Sequence, residues 1–390
     1  MRNTKKLFML VAVILALVLS ACSNGASSEQ AQDAGSMDNQ ESTAVDLASL
    51  GIDCSEYSAE YAKGPNGEDA VPASDVTLSD EEIAEIQAGN YTAALLWAGA
   101  GEWYNGLTDG AQAVFEELGI AVVATSDAQF DPAKQATDVE TALALQPDII
   151  LTLPVDPVSA AQAFQPAVDQ GVALVFADNG VDGYAAGDQY IGIVTGNHYG
   201  MGRGSADLMD AALGGSGEIG FIFYDADYFV TNNRDFTFAC RIAQDYPGIK
   251  IVAVSGFTEE NKTEEVASAM LVQHPEIDGI YVAWDVAAEG VIAALRSAGR
   301  TDVKVVTEDL GANNDLDMVM DGNMYGKTID LPYDIGATMA RMAAYKLLGK
   351  EAPSFVVVDL MKVTNDNVVE AWNRALNMDP PQDILDALAK

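Results

Sequence analysis

The chain has 390 residues, 49% of them hydrophobic, which is enough for two cores, and carries 20 Lys and Arg against 59 Asp and Glu, a formal net charge of -39 at pH 7. A surface this acidic excludes DNA, RNA and anionic lipid as partners, because phosphate recognition needs lysine and arginine.

Arg2, Lys5 and Lys6 precede an apolar run over residues 7–19, followed by Leu19-Ser20-Ala21-Cys22. Charged, apolar and small-residue segments in that order predict an export signal over residues 1–21. The run is shorter than the roughly 20 residues a bilayer-spanning helix needs, and no later stretch comes close. The cysteine after Leu-Ser-Ala resembles the lipobox of bacterial lipoproteins, which implies that Cys22 is diacylated and becomes the N-terminus, its two chains giving a stable anchor. Residues 22–45 are rich in Ser, Gln, Ala, Asp and Gly without an apolar period and read as a flexible tether.

Residues 46–90 read as an extension packed on the first lobe, in which Asp80-Glu81-Glu82 before Ile83 and Ile86 predicts a short capped helix. Cys54 and Cys240 either form one disulfide or leave Cys240 as a buried thiol in a helical run; both readings stay open.

From Tyr91 onward, continuous apolar runs at 91–98, 120–124, 148–153 and 172–176 predict buried strands, with helices near 107–118, 132–145 and 158–169 between them. A second series puts strands at 219–223, 249–254, 279–282, 303–306 and 325–329, separated by helices near 199–212, 233–245, 261–273, 286–298 and 312–320. The segment 188–195 links the halves, while a helix at 332–348 and a strand at 355–359 return to the first. The fold class is therefore α/β, with two doubly wound parallel-sheet lobes. Lobe 1 is assigned residues 91–195 and 331–358, lobe 2 residues 196–330 and 359–376, and a tail 377–390. Closure is expected at a hinge near residues 195, 310 and 330.

Ligands of open parallel sheets collect at the carboxyl ends of strands, so two facing sheets predict a cleft between the lobes. Gly99-Ala-Gly101-Glu102-Trp103-Tyr104 follows the first strand; Tyr104 stands where a dinucleotide fingerprint needs glycine, which rules that motif out. Two aromatics on that loop are suited to stacking on a ligand. Later strand ends carry Asp178 and Asn179, Asn232 and Arg234, Trp284 and Asp285, Asp309, and Asp330, planar polar groups that make paired hydrogen bonds to adjacent hydroxyls. Phe257 is a further candidate ring.

These features resemble the sugar-binding lipoproteins or periplasmic proteins of ABC importers, of the type-1 periplasmic binding protein fold shared with ribose-binding proteins. The likeness runs from about Tyr91 to Ala375. It rests on Asp109-Gly-Ala-Gln112, Phe130-Asp-Pro-Ala-Lys134, Leu153-Pro-Val-Asp-Pro157, the Asn-x-Arg of Asn232 and Arg234, and Gly290-Val-Ile-Ala-Ala-Leu295 with Ala298-Gly299. The resemblance implies a multi-strand hinge, stacking on the sugar by Trp103 and Tyr104, hydroxyl pairing by Asp178, an arginine contact from Arg234 and late polar contacts from Asp285, Asp309 and Asp330. It also implies a monomer that serves membrane permease subunits. Asn179 stands where an arginine is usual, Trp284 where an asparagine is usual and Asp330 where a glutamine is usual. The more acidic site suits a neutral sugar or polyol, leaves an amine-bearing ligand open and disfavours an acidic sugar.

No Gly-x-Ser-x-Gly elbow, His-Glu-x-x-His pair or phosphate-cradling glycine loop occurs, so no enzyme, cofactor or metal is expected. His198 and His274 read as structural or solvated. Asp225-Ala-Asp227 lacks the oxygen ligand of a calcium loop, since Phe229 occupies that place. The alternatives are a receptor for a membrane sensor kinase and, further off, a glycoside hydrolase using the strand-end carboxyls.

Overall fold

Long apolar runs with no polar alternation need cover on both faces, and helices supply it. The computed structural model describes residues 44–226 and 228–390. The expected signal segment, Cys22, most of the tether and Asp227 lie outside the described residues.

In chain order the first half holds β1 (Val71–Pro72), α1 (Asp80–Gln87), β2 (Thr92–Trp97), α2 (Glu102–Leu118), β3 (Ala121–Asp127), α3 (Pro132–Leu143), β4 (Ile149–Thr152), α4 (Pro157–Asp169), β5 (Ala173–Ala177) and β6 (Ile193–Gly196). The second holds α5 (His198–Leu213), β7 (Gly217–Tyr224), α6 (Phe229–Asp245), β8 (Ile249–Phe257), α7 (Thr263–Gln273), β9 (Gly279–Val282), α8 (Asp285–Ala298), β10 (Lys304–Glu308), α9 (Ala312–Val319) and β11 (Met324–Ile329). The chain ends in α10 (Pro332–Leu347), β12 (Phe355–Val358), β13 (Met361–Val363), α11 (Val368–Leu376) and α12 (Gln382–Leu388).

Two sheets result, in the orders β1-β12-β6-β5-β4-β2-β3 and β13-β11-β10-β9-β7-β8. Pairing is parallel throughout except for β13, which runs antiparallel to β11. Alternating strand and helix produce this arrangement because a parallel neighbour is reached only through a crossover. Helices α2 and α10 pack at the closest range: a Cβ on Gly110 would collide with the carbonyl oxygen of Tyr333, and one on Gly336 with that of Leu107.

From β2 onward the lobes join at three strand-to-element passages, β6 to α5, β11 to α10 and β12 to β13. Residue 310, expected in the hinge, lies instead between β10 and α9 inside the second lobe. Loop position after a strand resembles a crossover in sequence, and only sheet membership separates the two. The expected tail contains α12, which packs on α9 with Ile384 buried.

The extension also departs from expectation, because its first part packs on the second lobe. Val45 N donates to Ile251 O at 2.8 Å, Leu47 is buried among Phe221, Phe238 and Ile251, and Cys54 forms a disulfide with Cys240 of α6. Arg203 of α5 donates to the carbonyls of Tyr57, Ala59 and Glu60. Beyond that point the chain crosses to the first lobe, where Val71 and Pro72 add to the sheet beside Val356 and Val357, and Tyr345 bonds both backbone groups of Thr77. The capped helix is present as α1, with Ser79 and Glu82 forming a capping box.

Candidate functional site

A cavity of about 880 Å³ opens where the carboxyl ends of the two sheets face each other. Nine of the ten sequence-predicted residues line it: Trp103, Tyr104, Asp178 and Asn179 from the first lobe, Arg234, Trp284, Asp285 and Asp309 from the second, and Asp330 at the passage from β11 to α10. Asn232 does not. Helix α6 already begins at Phe229, so Asn232 and Arg234, two residues apart at about 100° each, point to opposite sides. Arg234 turns inward and is buried, while Asn232 is exposed.

Other helices also start earlier than their apolar period suggests. Trp103 and Tyr104 belong to the first turn of α2, and Asp285 opens α8. Rigid helix starts therefore carry side chains that read as loop residues. Phe257 is buried 4.7 Å from the Trp284 ring, which it supports from behind, and is not part of the lining.

Asp178 and Asp309 end strands β5 and β10 with φ of 52° and 67°, the left-handed region that Asp tolerates better than most residues. One from each lobe is turned into the cleft in this way.

Arg234 forms the centre. Its Nη1 lies 2.8 Å from Asp309 Oδ2, its Nε 3.2 Å from Glu308 Oε2 and its Nη2 3.9 Å from Asp330 Oδ2. Burial favours the neutral guanidine, but Asp309, Glu308 and Asp330 outweigh it, so the group stays charged above its ordinary range. Nε also donates to His198 Nδ1 at 3.2 Å. That fixes the tautomer: Nε2 carries the proton and donates to Thr195 Oγ1 at 2.6 Å, and Thr195 in turn donates to Asp178 Oδ1 at 2.7 Å. Burial, reinforced by Arg234, depresses the imidazole well below its usual range and keeps it neutral. A chain of hydrogen bonds thus runs from the arginine of the second lobe, through the β6 to α5 passage, to the carboxylate of the first.

Four cleft carboxyls hold protons more tightly than usual, Glu102 among them through partial burial and then Asp315. Burial raises Asp178 to about 6 against the opposing pull of Thr195 and Arg234. Burial and then Asp309 raise Asp285 and Asp330 to about 7. Trp103 Nε1 donates to Asp330 Oδ2 at 3.0 Å, and the Asn179 amide lies 3.3 Å from the Tyr228 hydroxyl across the gap. Aromatic surface is abundant, with Trp103 edge-on to Tyr104 at 5.1 Å and Trp284 edge-on to Tyr224 at 5.0 Å. The arrangement offers hydrogen-bond acceptors at spaced points and flat apolar walls between them, the requirements for holding a ring or chain of hydroxyls.

Residues 93–351 match the model of the periplasmic binding protein domain. The chain belongs to that family. It is 30% identical over 217 residues to a D-ribose/D-allose-binding protein of Pseudomonas aeruginosa, covering 54% of this chain and 67% of the relative. It is 26% identical over 294 residues to the ribose import binding protein RbsB of Salmonella typhimurium, covering 75% and 97%. Among solved structures, a sugar ABC transporter sugar-binding protein from Bacillus halodurans superposes with a TM-score of 0.63 at 24% identity, over 72% of this chain and 99% of that one. The two parallel-sheet lobes expected from the sequence are the type-1 arrangement of periplasmic binding proteins.

Sequence reasoning missed Thr195, Thr231, Tyr224 and Tyr228, and it read His198 as structural or solvated. His198 lay directly after a crossover segment, a signal available in the sequence. Thr231 stands three residues before Arg234, one turn away on the same helix face, which becomes visible once α6 is known to include it.

Proposed function

We propose that this chain is the extracytoplasmic solute-binding component of an ABC importer, capturing a monosaccharide or polyol between its lobes and delivering it to membrane permease subunits. Lipid on Cys22 holds it at the membrane, and the tether gives it reach. The observation that carries the reading is that Trp103 and Asp178 from one lobe and Arg234 and Asp309 from the other line a single cavity. Residues far apart in sequence then grip one ligand only when the lobes approach, so closure itself reports occupancy. Similarity to ribose- and allose-binding relatives supports the ligand class. No helix among the described residues is long and apolar enough to cross a membrane, in keeping with a lipid anchor as the attachment.

Thermal melts of the mature chain against a panel of pentoses, hexoses and polyols test this. A ligand at a hundred times its Kd stabilises the folded form by about 2.7 kcal/mol, well within detection. Failure of every panel member, and of their amino derivatives, to raise the melting temperature would refute the reading.

A further inference from the structure

We propose, resting on the reading above, that the ligand carries a protonated amine beside its hydroxyls, as an amino sugar or amino polyol does, with the ammonium seated at Asp285 and Asp309 and a hydroxyl or amine hydrogen bond taken by Thr231. Charge in the cleft is one-sided. Seven carboxyl side chains line it, and Arg234 is the one Lys, Arg or His among the described lining residues. That arginine is already engaged by Glu308, Asp309 and Asp330, so it has little charge left to offer an anionic ligand. Asp178 is met by the neutral hydroxyl of Thr195, not by a cation.

Asp285 is desolvated with weak compensation. It lies at the first position of α8, where the positive end of the helix dipole assists it, and the nearest cation acting on it is Lys327. Lys327 is itself fully buried and committed to Asp315 at 2.7 Å. The charge of Asp309 acts on Asp285, and the Asp309 Oδ1 atom is buried and takes no hydrogen bond. A single ammonium donates three hydrogen bonds and can bridge both carboxylates with one positive charge, which a sugar hydroxyl cannot do. The neighbouring faces of Trp284, Tyr224 and Tyr228 add the attraction of aromatic rings for a cation.

Thr231 supplies an independent sign that a polar ligand atom belongs here. Its side chain lines the cavity at 6% exposure, and its Oγ1 is buried without any partner. A buried hydroxyl left unpaired costs about 1–3 kcal/mol, a cost removed when a ligand atom completes it.

Calorimetry of the mature chain with matched pairs separates the outcomes: 1-amino-1-deoxysorbitol against sorbitol, and glucosamine against glucose and N-acetylglucosamine, at pH 7.5 and low salt. In at least one pair the amine should bind about tenfold tighter or more, the scale of one charge-assisted hydrogen bond. The variant Asp285→Asn should erase that advantage, costing the amine at least about tenfold more affinity than it costs the neutral partner, and Thr231→Val should weaken both partners to a similar extent. Neutral members that bind as well as their amines in every pair that binds overturn the amine assignment and leave the importer reading standing. Amine preference that survives Asp285→Asn overturns the seat at Asp285. Should no member of any pair bind, the importer reading falls with it.

Discussion

Trp103 Nε1 donates to Asp330 Oδ2 at 3.0 Å, tying the helix that opens the first lobe to the residue at which β11 leaves the second. The bond spans 227 positions in sequence. Because Asp330 sits at a passage between lobes, the indole both lines the cavity and contacts a residue of that passage.

Replacing Trp103 by Phe keeps a ring and deletes the donor, leaving a buried carboxyl without its indole partner. Ligand affinity measured by calorimetry should fall by about tenfold, and Trp103→Ala, which also removes the stacking face, should cost about a hundredfold. Equal losses in the two variants would show that the hydrogen bond contributes nothing.

Acid should stabilise the ligand-free protein. Asp178 is raised to about 6, and Asp235, Asp285 and Asp330 to about 7, in each case first by burial. Between their ordinary range near 4 and those values the folded chain holds protons that the unfolded chain has released. Stability supplied by these groups is therefore present at low pH and is lost as pH rises through about 6 to 7. Melting temperatures taken at intervals from pH 4.5 to 7.5 should decline by a few degrees, and Asp330→Asn, neutral throughout, should flatten the decline. A melting temperature that climbs over this interval in the parent would contradict the assignment.

Substituting Arg234 by Met removes the cation that Glu308, Asp309 and Asp330 share. Breaking a buried ion pair from one side typically costs about 3–5 kcal/mol, and urea denaturation should show a loss of that size. Adding Glu308→Gln to Arg234→Met should restore part of it, because one uncompensated charge is then gone.

The extension is held at both ends, by the Cys54–Cys240 bond on the second lobe and by β1 on the first. Replacing both cysteines by serine should lower stability by about 2–5 kcal/mol. Hydrogen exchange should accelerate over residues 45–60 while β1 stays protected, and small-angle scattering of the ligand-free variant should report a larger radius of gyration. Uniform acceleration across the chain would place the loss elsewhere.

Much of the fold was legible because buried parallel strands and amphipathic helices each leave a periodic mark. Strands β2 to β12 fall where continuous apolar runs predict them. The two-residue β1 and three-residue β13 left none, being too short for a period and dependent on neighbours supplied from elsewhere. Cleft residues that follow strands, such as Asp178 and Asp309, were readable from position alone. Those acting through partners, His198 and Thr195 above all, were not, since their roles arise from contacts with Arg234 and Asp178. The disulfide was undecidable for the same reason: 186 residues separate its cysteines, and their approach depends on how the extension drapes over α5 and α6.

Ligand-induced thermal shift in the parent and in Trp103→Ala, Asp178→Ala and Arg234→Ala tests most directly that one ligand is gripped by both lobes. Gripping from both sides requires that some sugar, polyol or amine analogue raise the melting temperature of the parent and that each substitution abolish the rise. Three variants that respond like the parent would contradict it.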